Sequence, residues 1–145
     1  MDSFFKEEIR KFNRFYSGAI GFFDLYSIHP TLSDIECRII YEVMEHEKIT
    51  AKDLNDILHI DRGYLSRTLK KLEKEGYIFR HESKIDRRYK ILVLTEKGKE
   101  AAQLSVENAN KNTDLQFGHL SEAELEKIIW AMRIIQDTFT SKKIP

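Results

Sequence analysis

The chain has 145 residues, enough for one domain with a buried core. Its composition, 41% hydrophobic and 33% charged with little Gly or Pro, is ordinary for a globular protein and excludes a disordered chain. No apolar run approaches the ~20 residues that a membrane span needs, and the opening MDSFFKEEIRKF fits neither a signal nor a transit peptide. The single cysteine, Cys37, excludes an intrachain disulfide and suits a reducing cytoplasm, where we expect the protein to act. Since no apolar run is long enough for a membrane span, no membrane partner is expected.

The formal net charge of zero conceals an uneven distribution of charge along the chain. Between His59 and Lys99 there are 12 Lys and Arg against 6 Asp and Glu, whereas the remainder has 12 basic and 18 acidic residues. Such a segment can focus a positive field on an anionic partner even when the total charge vanishes. Chance clustering in a charge-rich chain is the alternative, and the totals do not decide between them.

An apolar stripe predicts one long N-terminal helix over residues 3–27, which Pro30 ends because proline cannot continue a helix. Other phenylalanines lie off the stripe, so the helix is apolar on more than one side. The stripe itself consists of Phe5, Ile9, Phe12, Tyr16, Ala19, Phe23 and Tyr26.

Two capping boxes predict the next two helices. Ser33 and Glu36 form a box that opens a second helix, which runs to about His46. Thr50 and Asp53 open a short third helix with the sequence AKDLNDIL.

Asp61 is placed to cap a fourth helix that ends at Gly76, since glycine is the preferred residue after a helix end. The segments YIFRH and YKILVL then have strand composition, and the polar ESKIDRR joins them as a hairpin. Thr95 can cap a fifth helix to about Asp114. Ser121 and Glu124 form a third capping box, which opens a last helix. One face of this helix is apolar, formed by Leu125, Ile128, Ile129, Met132, Ile135 and Phe139.

Two short helices joined by a tight turn and followed by a hairpin are typical of a winged helix-turn-helix. On the fourth helix, one arc is apolar and the opposite arc is polar and cationic. A solvated cationic face is common on surface helices, so this face alone leaves DNA reading open. The apolar arc holds Leu65, Thr68, Leu69 and Leu72, and the candidate DNA-reading face holds Arg62, Gly63, Tyr64, Ser66, Arg67, Lys70 and Lys71.

The residue types on this face suit the chemistry of a duplex. Arg62 and Arg67 can make bidentate hydrogen bonds to guanine, and Ser66 can bond base edges or phosphate. Lys70 and Lys71 suit phosphate, and a glycine at position 63 permits close approach of the helix to the duplex.

The hairpin tip, residues 82–90, carries further candidate DNA contacts in Asp86, Arg87, Arg88 and Lys90. An arginine at such a tip can enter the narrow minor groove, where the negative potential is strongest. Asp86 can pair with Arg88 and hold its direction. A plain surface ion pair, contributing ~0–1 kcal/mol, is the alternative.

The segment DRRYKILVLTEKG resembles the wing-and-strand signature of the MarR family of bacterial transcriptional regulators. IDRGYLSRTLKKLEKEGYI is similar to the recognition helix of that family, and LSDIECRII to the start of its second helix. The resemblance by motif spans residues 31–100. The residues in register with the wing-and-strand signature are Asp86, Arg88, Leu92, Leu94, Thr95 and Gly98.

The resemblance implies a single MarR-like domain over residues 1–145, mainly α with a small β-hairpin wing. A winged helix-turn-helix DNA-binding lobe would occupy residues 31–95, and a helical dimerisation lobe residues 1–30 and 96–145. A homodimer would place recognition helix 62–75 in the major groove and wing 82–90 in the minor groove of a pseudo-palindromic operator, and would be expected to repress. The interface would include Phe5, Ile9, Phe12, Ile128, Met132, Ile135 and Phe139.

Several family members release DNA when a small aromatic or anionic effector binds, and Tyr16, Phe23 and Tyr26 could line such a pocket. An aromatic stripe is more often core or interface. Some relatives sense oxidants through cysteine, but Cys37 lies in an apolar arc without a second cysteine to resolve a sulfenic acid.

No metal or other cofactor is expected, because the five histidines are scattered and no catalytic motif occurs; we therefore predict that the protein is not an enzyme. GYLSR and LSEAELEKIIWAM resemble a subgroup that is fused to a C-terminal acetyltransferase. The rival hypothesis is a protein-interaction or regulatory module, including the DNA-binding half of such a fusion.

Overall fold

A computed structural model of the chain describes residues 1–19 and 29–141. It is mainly helical with one two-stranded antiparallel hairpin, which confirms the predicted fold class. None of the helices in the described part of the chain is both long and apolar enough to cross a membrane. The elements in chain order are α1 Ser3–Ala19, α2 Asp34–Glu45, α3 Ala51–Leu58, α4 Arg62–Lys74, β1 Ile78–Glu82, β2 Lys90–Leu94, α5 Glu96–Phe117 and α6 Glu122–Ser141.

The capping boxes predicted for α2 and α3 both form. The Ser33 hydroxyl accepts from the backbone N–H of Glu36, whose carboxylate accepts from the Ser33 N–H at 2.9 Å. Thr50 and Asp53 exchange the same two bonds at the start of α3. Each box satisfies two backbone donors that a helix start would otherwise leave unpaired.

The hydrophobic core lies among α2, α3, α4, the hairpin and the first half of α5. The most completely buried large side chains are contributed by α2, α3, α4 and both strands, so the helix-turn-helix and the wing share one core. They are Ile39, Ile40, Leu54, Leu69, Leu72, Ile78 and Leu92.

The hairpin is fastened to the segment before α3 as well as to itself. β1 and β2 pair antiparallel from Ile78 opposite Leu94 to Glu82 opposite Lys90. The backbone N–H of Leu92 donates to the carbonyl of Ile49 at 2.9 Å, which adds a bridge on the other edge of β2. The wing is therefore anchored to the helix-turn-helix by backbone bonds.

Thr95 and Gly98 make the junction between the hairpin and α5. The Thr95 hydroxyl donates to the carbonyl of Gly76 and accepts from the backbone N–H of Gly98 at 3.0 Å. A Cβ on Gly98 would lie 2.1 Å from the carbonyl oxygen of Tyr77, so only glycine fits there. The Thr-x-x-Gly of the resemblance thus has a structural role, to join α5 to the end of α4.

Some predicted boundaries were displaced. β1 begins at Ile78 rather than Tyr77, whose side chain is buried, and α5 continues to Phe117 rather than Asp114. Residues 20–27 of the predicted first helix lie outside the described residues. Gly76, at φ +80°, ends α4 as predicted, since this left-handed conformation favours glycine.

Contacts divide the chain into two compact units, Met1–Ala109 and Asn110–Pro145. The second unit contains the end of α5 and all of α6. Ser121 and Glu124 form the predicted capping box at the start of α6, whose twenty residues include none that is buried.

Candidate nucleic-acid interface

Helix α4 is fixed at its start and along its buried face. The Asp61 carboxylate accepts from the backbone N–H of Tyr64 at 2.8 Å and so caps the helix. Leu65, Leu69 and Leu72 are buried in the core, as the helical wheel predicted. This packing leaves the opposite face exposed over its whole length.

The exposed face of α4 is cationic at neutral pH and holds the predicted base-reading side chains. They supply guanidinium, hydroxyl and ammonium donors on the solvent-exposed surface of one helix. The exposed members are Arg62, Gly63, Tyr64, Ser66, Arg67, Lys70 and Lys71.

Gly63 lies beneath the Arg67 guanidinium. A Cβ at position 63 would be 3.3 Å from Arg67 Nη1 and 3.1 Å from Asp61 Oδ2. The absence of a side chain therefore leaves room for the arginine tip above the first turn of α4, beside the capping carboxylate.

Lys71 forms an ion pair within the chain that the sequence did not indicate. Its ammonium donates to Glu36 Oε1 of α2 at 2.6 Å, and Glu36 is only 4% exposed. Burial alone would raise the pKa of Glu36, but hydrogen bonds from Lys71 and from the Ser33 N–H lower it below its ordinary value. The same bond raises the pKa of Lys71. The phosphate contact predicted for Lys71 remains a prediction.

A cleft of about 450 Å³ opens beside this face, between α3, α4 and β1. It brings two cations, Lys52 and Arg80, next to the predicted Arg62 and Ser66. Sequence reasoning missed both, because they lie on other elements and neither belongs to a periodic pattern. Arg80 forms an ion pair with Glu73 of α4, with Nε 2.9 Å from Oε1. The cleft is lined by Ala51, Lys52, Asn55, Arg62, Leu65, Ser66, Leu69 and Arg80.

At the wing, Asp86 and Arg88 form the predicted pair with a specific geometry. Arg88 donates from Nη2 to Asp86 Oδ2 at 2.8 Å and from Nε to Oδ1 at 3.1 Å, while its backbone N–H also donates to Oδ1. These bonds from Arg88 hold the pKa of Asp86 below its ordinary value. The Arg88 side chain is nevertheless 86% exposed. The carboxylate thus directs the guanidinium without burying it.

The remaining predicted wing residues, Arg87 and Lys90, are exposed on the same hairpin. The Ser83 N–H donates to the Tyr89 carbonyl at 3.0 Å, which closes the hairpin below the tip. The structure therefore places Asp86, Arg87 and Arg88 on one short, backbone-bonded loop and Lys90 at the start of β2 beside it.

Cys37 is buried, with 3% of its surface exposed. Burial raises the pKa of its thiol and so disfavours the reactive thiolate. Both features agree with its prediction as a core residue.

The residues predicted for the dimer interface are exposed or half-buried within the single chain. On α1, Phe5, Ile9 and Phe12 are each about half exposed or more. In the second unit, Ile135 and Phe139 of α6 are exposed, and Ile128 and Met132 are half-buried.

The residues predicted for an effector pocket can be placed only in part. Tyr16 is half-buried and stacks on Phe12, with ring centroids 5.7 Å apart. Phe23 and Tyr26 lie outside the described residues.

Comparison with known proteins connects this arrangement to a family. Residues 31–88 match the sequence profile of the MarR family. The chain is 31% identical over 98 residues to the organic hydroperoxide resistance transcriptional regulator of Bacillus subtilis, covering 68% of this chain and 65% of that protein. It is 42% identical over 60 residues to the HTH-type transcriptional regulator SarZ of Staphylococcus haemolyticus, covering 41% of each chain. The matches thus span about two thirds or less of these two relatives.

The fold extends the similarity over nearly the whole chain. The crystal structure of Streptococcus pneumoniae FabT in complex with DNA superposes with a TM-score of 0.77, covering 94% of this chain and 98% of that one. At 18% identity, this likeness shows a shared fold.

Proposed function

We propose that this chain, whose residues 31–88 match the sequence profile of the MarR family, is a sequence-specific transcriptional regulator that binds double-stranded DNA. The observation that carries the proposal is that α4 and the hairpin, which hold the two candidate readers, are built on one hydrophobic core. Helix α4 exposes Arg67 and Ser66, and the wing exposes Arg88 under the direction of Asp86. A helix and a hairpin tip so placed suit a major groove and the adjacent minor groove.

The electrostatics favour DNA over a protein partner. The segment from His59 to Lys99, which contains the α4 face and the wing, has 12 Lys and Arg against 6 Asp and Glu in a chain whose net charge is zero. A protein-interaction module would have no need for exposed arginines in directed geometries, whereas each phosphate contact adds salt-dependent affinity for a duplex. Acting on chromosomal DNA, the protein would work in the cytoplasm.

The proposed binding unit is a homodimer on a pseudo-palindromic operator. The apolar side chains of α1 and of α6 are exposed in the single chain, among them Phe12 and Phe139. Exposed apolar faces of this kind mark protein interfaces, and a second copy of the chain would cover them. Two recognition helices would then enter successive major grooves about 34 Å apart.

We further propose that the role is regulatory rather than enzymatic, in line with the two relatives, which are named transcriptional regulators. Binding would repress transcription by occupying the operator. A small aromatic or anionic effector, bound at a pocket near Tyr16, would release the protein from its operator.

The test is fluorescence-anisotropy titration of wild type and Arg88→Ala against duplex from the promoter beside the gene, with a scrambled duplex as competitor, over a range of salt concentrations. We expect tight, salt-dependent binding that prefers the promoter duplex and is weakened at least several-fold in Arg88→Ala. Lys84→Ala, which removes a wing cation without a bond to Asp86, serves as the matched control.

Equal binding of promoter and scrambled duplex by wild type, repeated with genomic fragments selected in vitro, would refute sequence-specific regulation. Selective binding that Arg88→Ala and Lys84→Ala weaken equally would retain DNA binding but refute the directed arginine.

A further inference from the structure

Ile85 occupies an unusual position at the wing. It is 89% exposed, the highest value for any large apolar side chain in residues 1–19 and 29–141. The side chains beside it are Lys84 and Asp86, with Arg87 and Arg88 just beyond. The branched apolar side chain of Ile85 is thus solvent-exposed in a loop whose neighbouring side chains are mostly cationic.

The backbone around Ile85 is held in place. The Ser83 hydroxyl accepts from the N–H of Ile85 at 3.2 Å and from that of Asp86 at 3.5 Å. The Tyr89 N–H donates to the Asp86 carbonyl at 3.1 Å and closes the other side of the tip. Because a β-branched side chain has a stiff first torsion, little freedom remains to be lost when Ile85 meets a partner.

The charges of the loop restrict the partner. An apolar contact surrounded by Lys84, Arg87 and Arg88 is favourable only against a surface that is itself apolar between rows of negative charge. The minor groove has this chemistry, because deoxyribose walls lie between two lines of phosphates. Isoleucine is among the side chains that act as wedges there.

We propose, on the basis of the proposed function, that Ile85 acts as an apolar wedge that enters the minor groove beside Arg88. The affinity for DNA would then depend on how easily the base step beneath Ile85 deforms. Arg88 and Ile85 then read different properties. The guanidinium favours a narrow, strongly negative groove, whereas the wedge favours a pyrimidine–purine step, which opens at lower cost than an A-tract step.

The experiment compares operator duplexes that differ only in the step beneath the wing, TpA or ApA. Hydroxyl-radical footprinting of the operator with wild type and with Arg88→Ala locates that step. It is the base step that wild type protects in the minor groove and Arg88→Ala leaves unprotected. We expect wild type to favour TpA about fivefold or more and Ile85→Thr, which keeps the branching and removes the apolar end, to lose this ratio. Ile85→Val should keep most of the ratio, and the salt slope should be the same in all three.

An unchanged TpA-to-ApA ratio in Ile85→Thr would overturn the wedge while leaving selective DNA binding intact. Cosedimentation of wild type, but not of Ile85→Thr, with phosphatidylglycerol vesicles would then identify an anionic lipid surface as the partner. If wild type shows no selective binding to any duplex, the proposed function fails and the wedge fails with it, a result distinct from the loss of the step ratio alone.

Discussion

The ammonium of Lys71 on α4 lies 2.6 Å from the carboxylate of Glu36 on α2, which is buried and also closes the capping box of its own helix. One carboxylate therefore holds the start of α2 and the last turn of α4 together. Lys70, the residue before Lys71, is exposed, and no hydrogen bond or ion pair among the described residues involves its ammonium. The two adjacent lysines should therefore behave differently when removed.

We expect Lys70→Ala to weaken binding to all duplexes alike and to reduce the salt slope by about one ion, because a phosphate contact is lost. Lys71→Ala should chiefly lower the urea midpoint of unfolding, since it leaves Glu36 buried without its cation. Anisotropy over salt and urea denaturation of both variants make the comparison. If Lys71→Ala instead lowers the slope as Lys70→Ala does and leaves the midpoint unchanged, Lys71 is the phosphate contact that its sequence position predicts.

The Glu36 carboxylate should also give stability a dependence on acid pH. Because its pKa in the folded protein lies below the ordinary value of 4.5, its charged form stabilises the fold above that value. The contribution is lost as pH falls through the lowered folded pKa. We expect Glu36→Gln, which can still accept from the Ser33 N–H, to reduce the free energy of unfolding by about 1–2 kcal/mol at pH 7.

At the acid end, Glu36→Gln and wild type should converge in stability, because wild type then loses the same charge. Urea unfolding of both proteins at pH 7 and at successive values below about 4.5 measures this. A gap between the two that stays constant over the whole range would mean that the carboxylate charge contributes nothing.

Gly98→Ala should destabilise the fold severely, by roughly 2 kcal/mol or more, because the new Cβ would lie 2.1 Å from the Tyr77 carbonyl oxygen. The oxygen belongs to the backbone and cannot move without disturbing the hairpin junction. Gly18→Ala on α1 is the matched control, since no atom of the described residues lies within 4 Å of a Cβ added there, and alanine should stabilise by up to ~1 kcal/mol. Thermal unfolding of both variants tests the difference; equal melting temperatures would rule out the clash.

Signals from neighbouring residues predicted most of the fold, because capping boxes, turn glycines and apolar spacing act over a few residues. Ser33 with Glu36 and Thr50 with Asp53 identified helix starts that the structure reproduces. The pairing of Lys71 with Glu36 spans 35 residues, so no local pattern could indicate it.

Residues of the candidate DNA-binding surface could be predicted from the sequence where they share one helix or hairpin. Residues brought together by the packing of different elements could not. The exposed face of α4 followed from the arc opposite its leucines, and Asp86 with Arg88 from their spacing on the hairpin. Lys52 and Arg80 reach the same cleft from α3 and β1, which depends on packing angles that periodicity does not contain.

Gly63→Ala should separate stability from recognition. The added methyl would press on the Arg67 guanidinium at 3.3 Å and on the Asp61 carboxylate at 3.1 Å, both ends of side chains that can shift by a few tenths of an ångström. We therefore expect stability within about 1 kcal/mol of wild type but weaker selective binding. Arg67→Ala should relax preference at one position of each half-site by about 1–3 kcal/mol.

Binding to single-base operator variants compares the two proteins. If Gly63→Ala acts through Arg67, both should lose preference at the same position. A loss spread evenly over all positions would indicate that the methyl obstructs the approach of α4 to the duplex.

Phe12→Asp should prevent dimerisation, because it places a charge in the apolar face of α1 that a second copy is proposed to cover. Phe12 is 48% exposed in the single chain, so the monomer loses less from the change than a buried core position would. Light scattering coupled to size exclusion should show a dimer for wild type and a monomer for Phe12→Asp, with weaker operator binding because one half-site is lost. Arg14→Asp, an exposed position off the stripe on the same helix, should remain dimeric. A Phe12→Asp protein that stays a DNA-binding dimer would place the interface elsewhere.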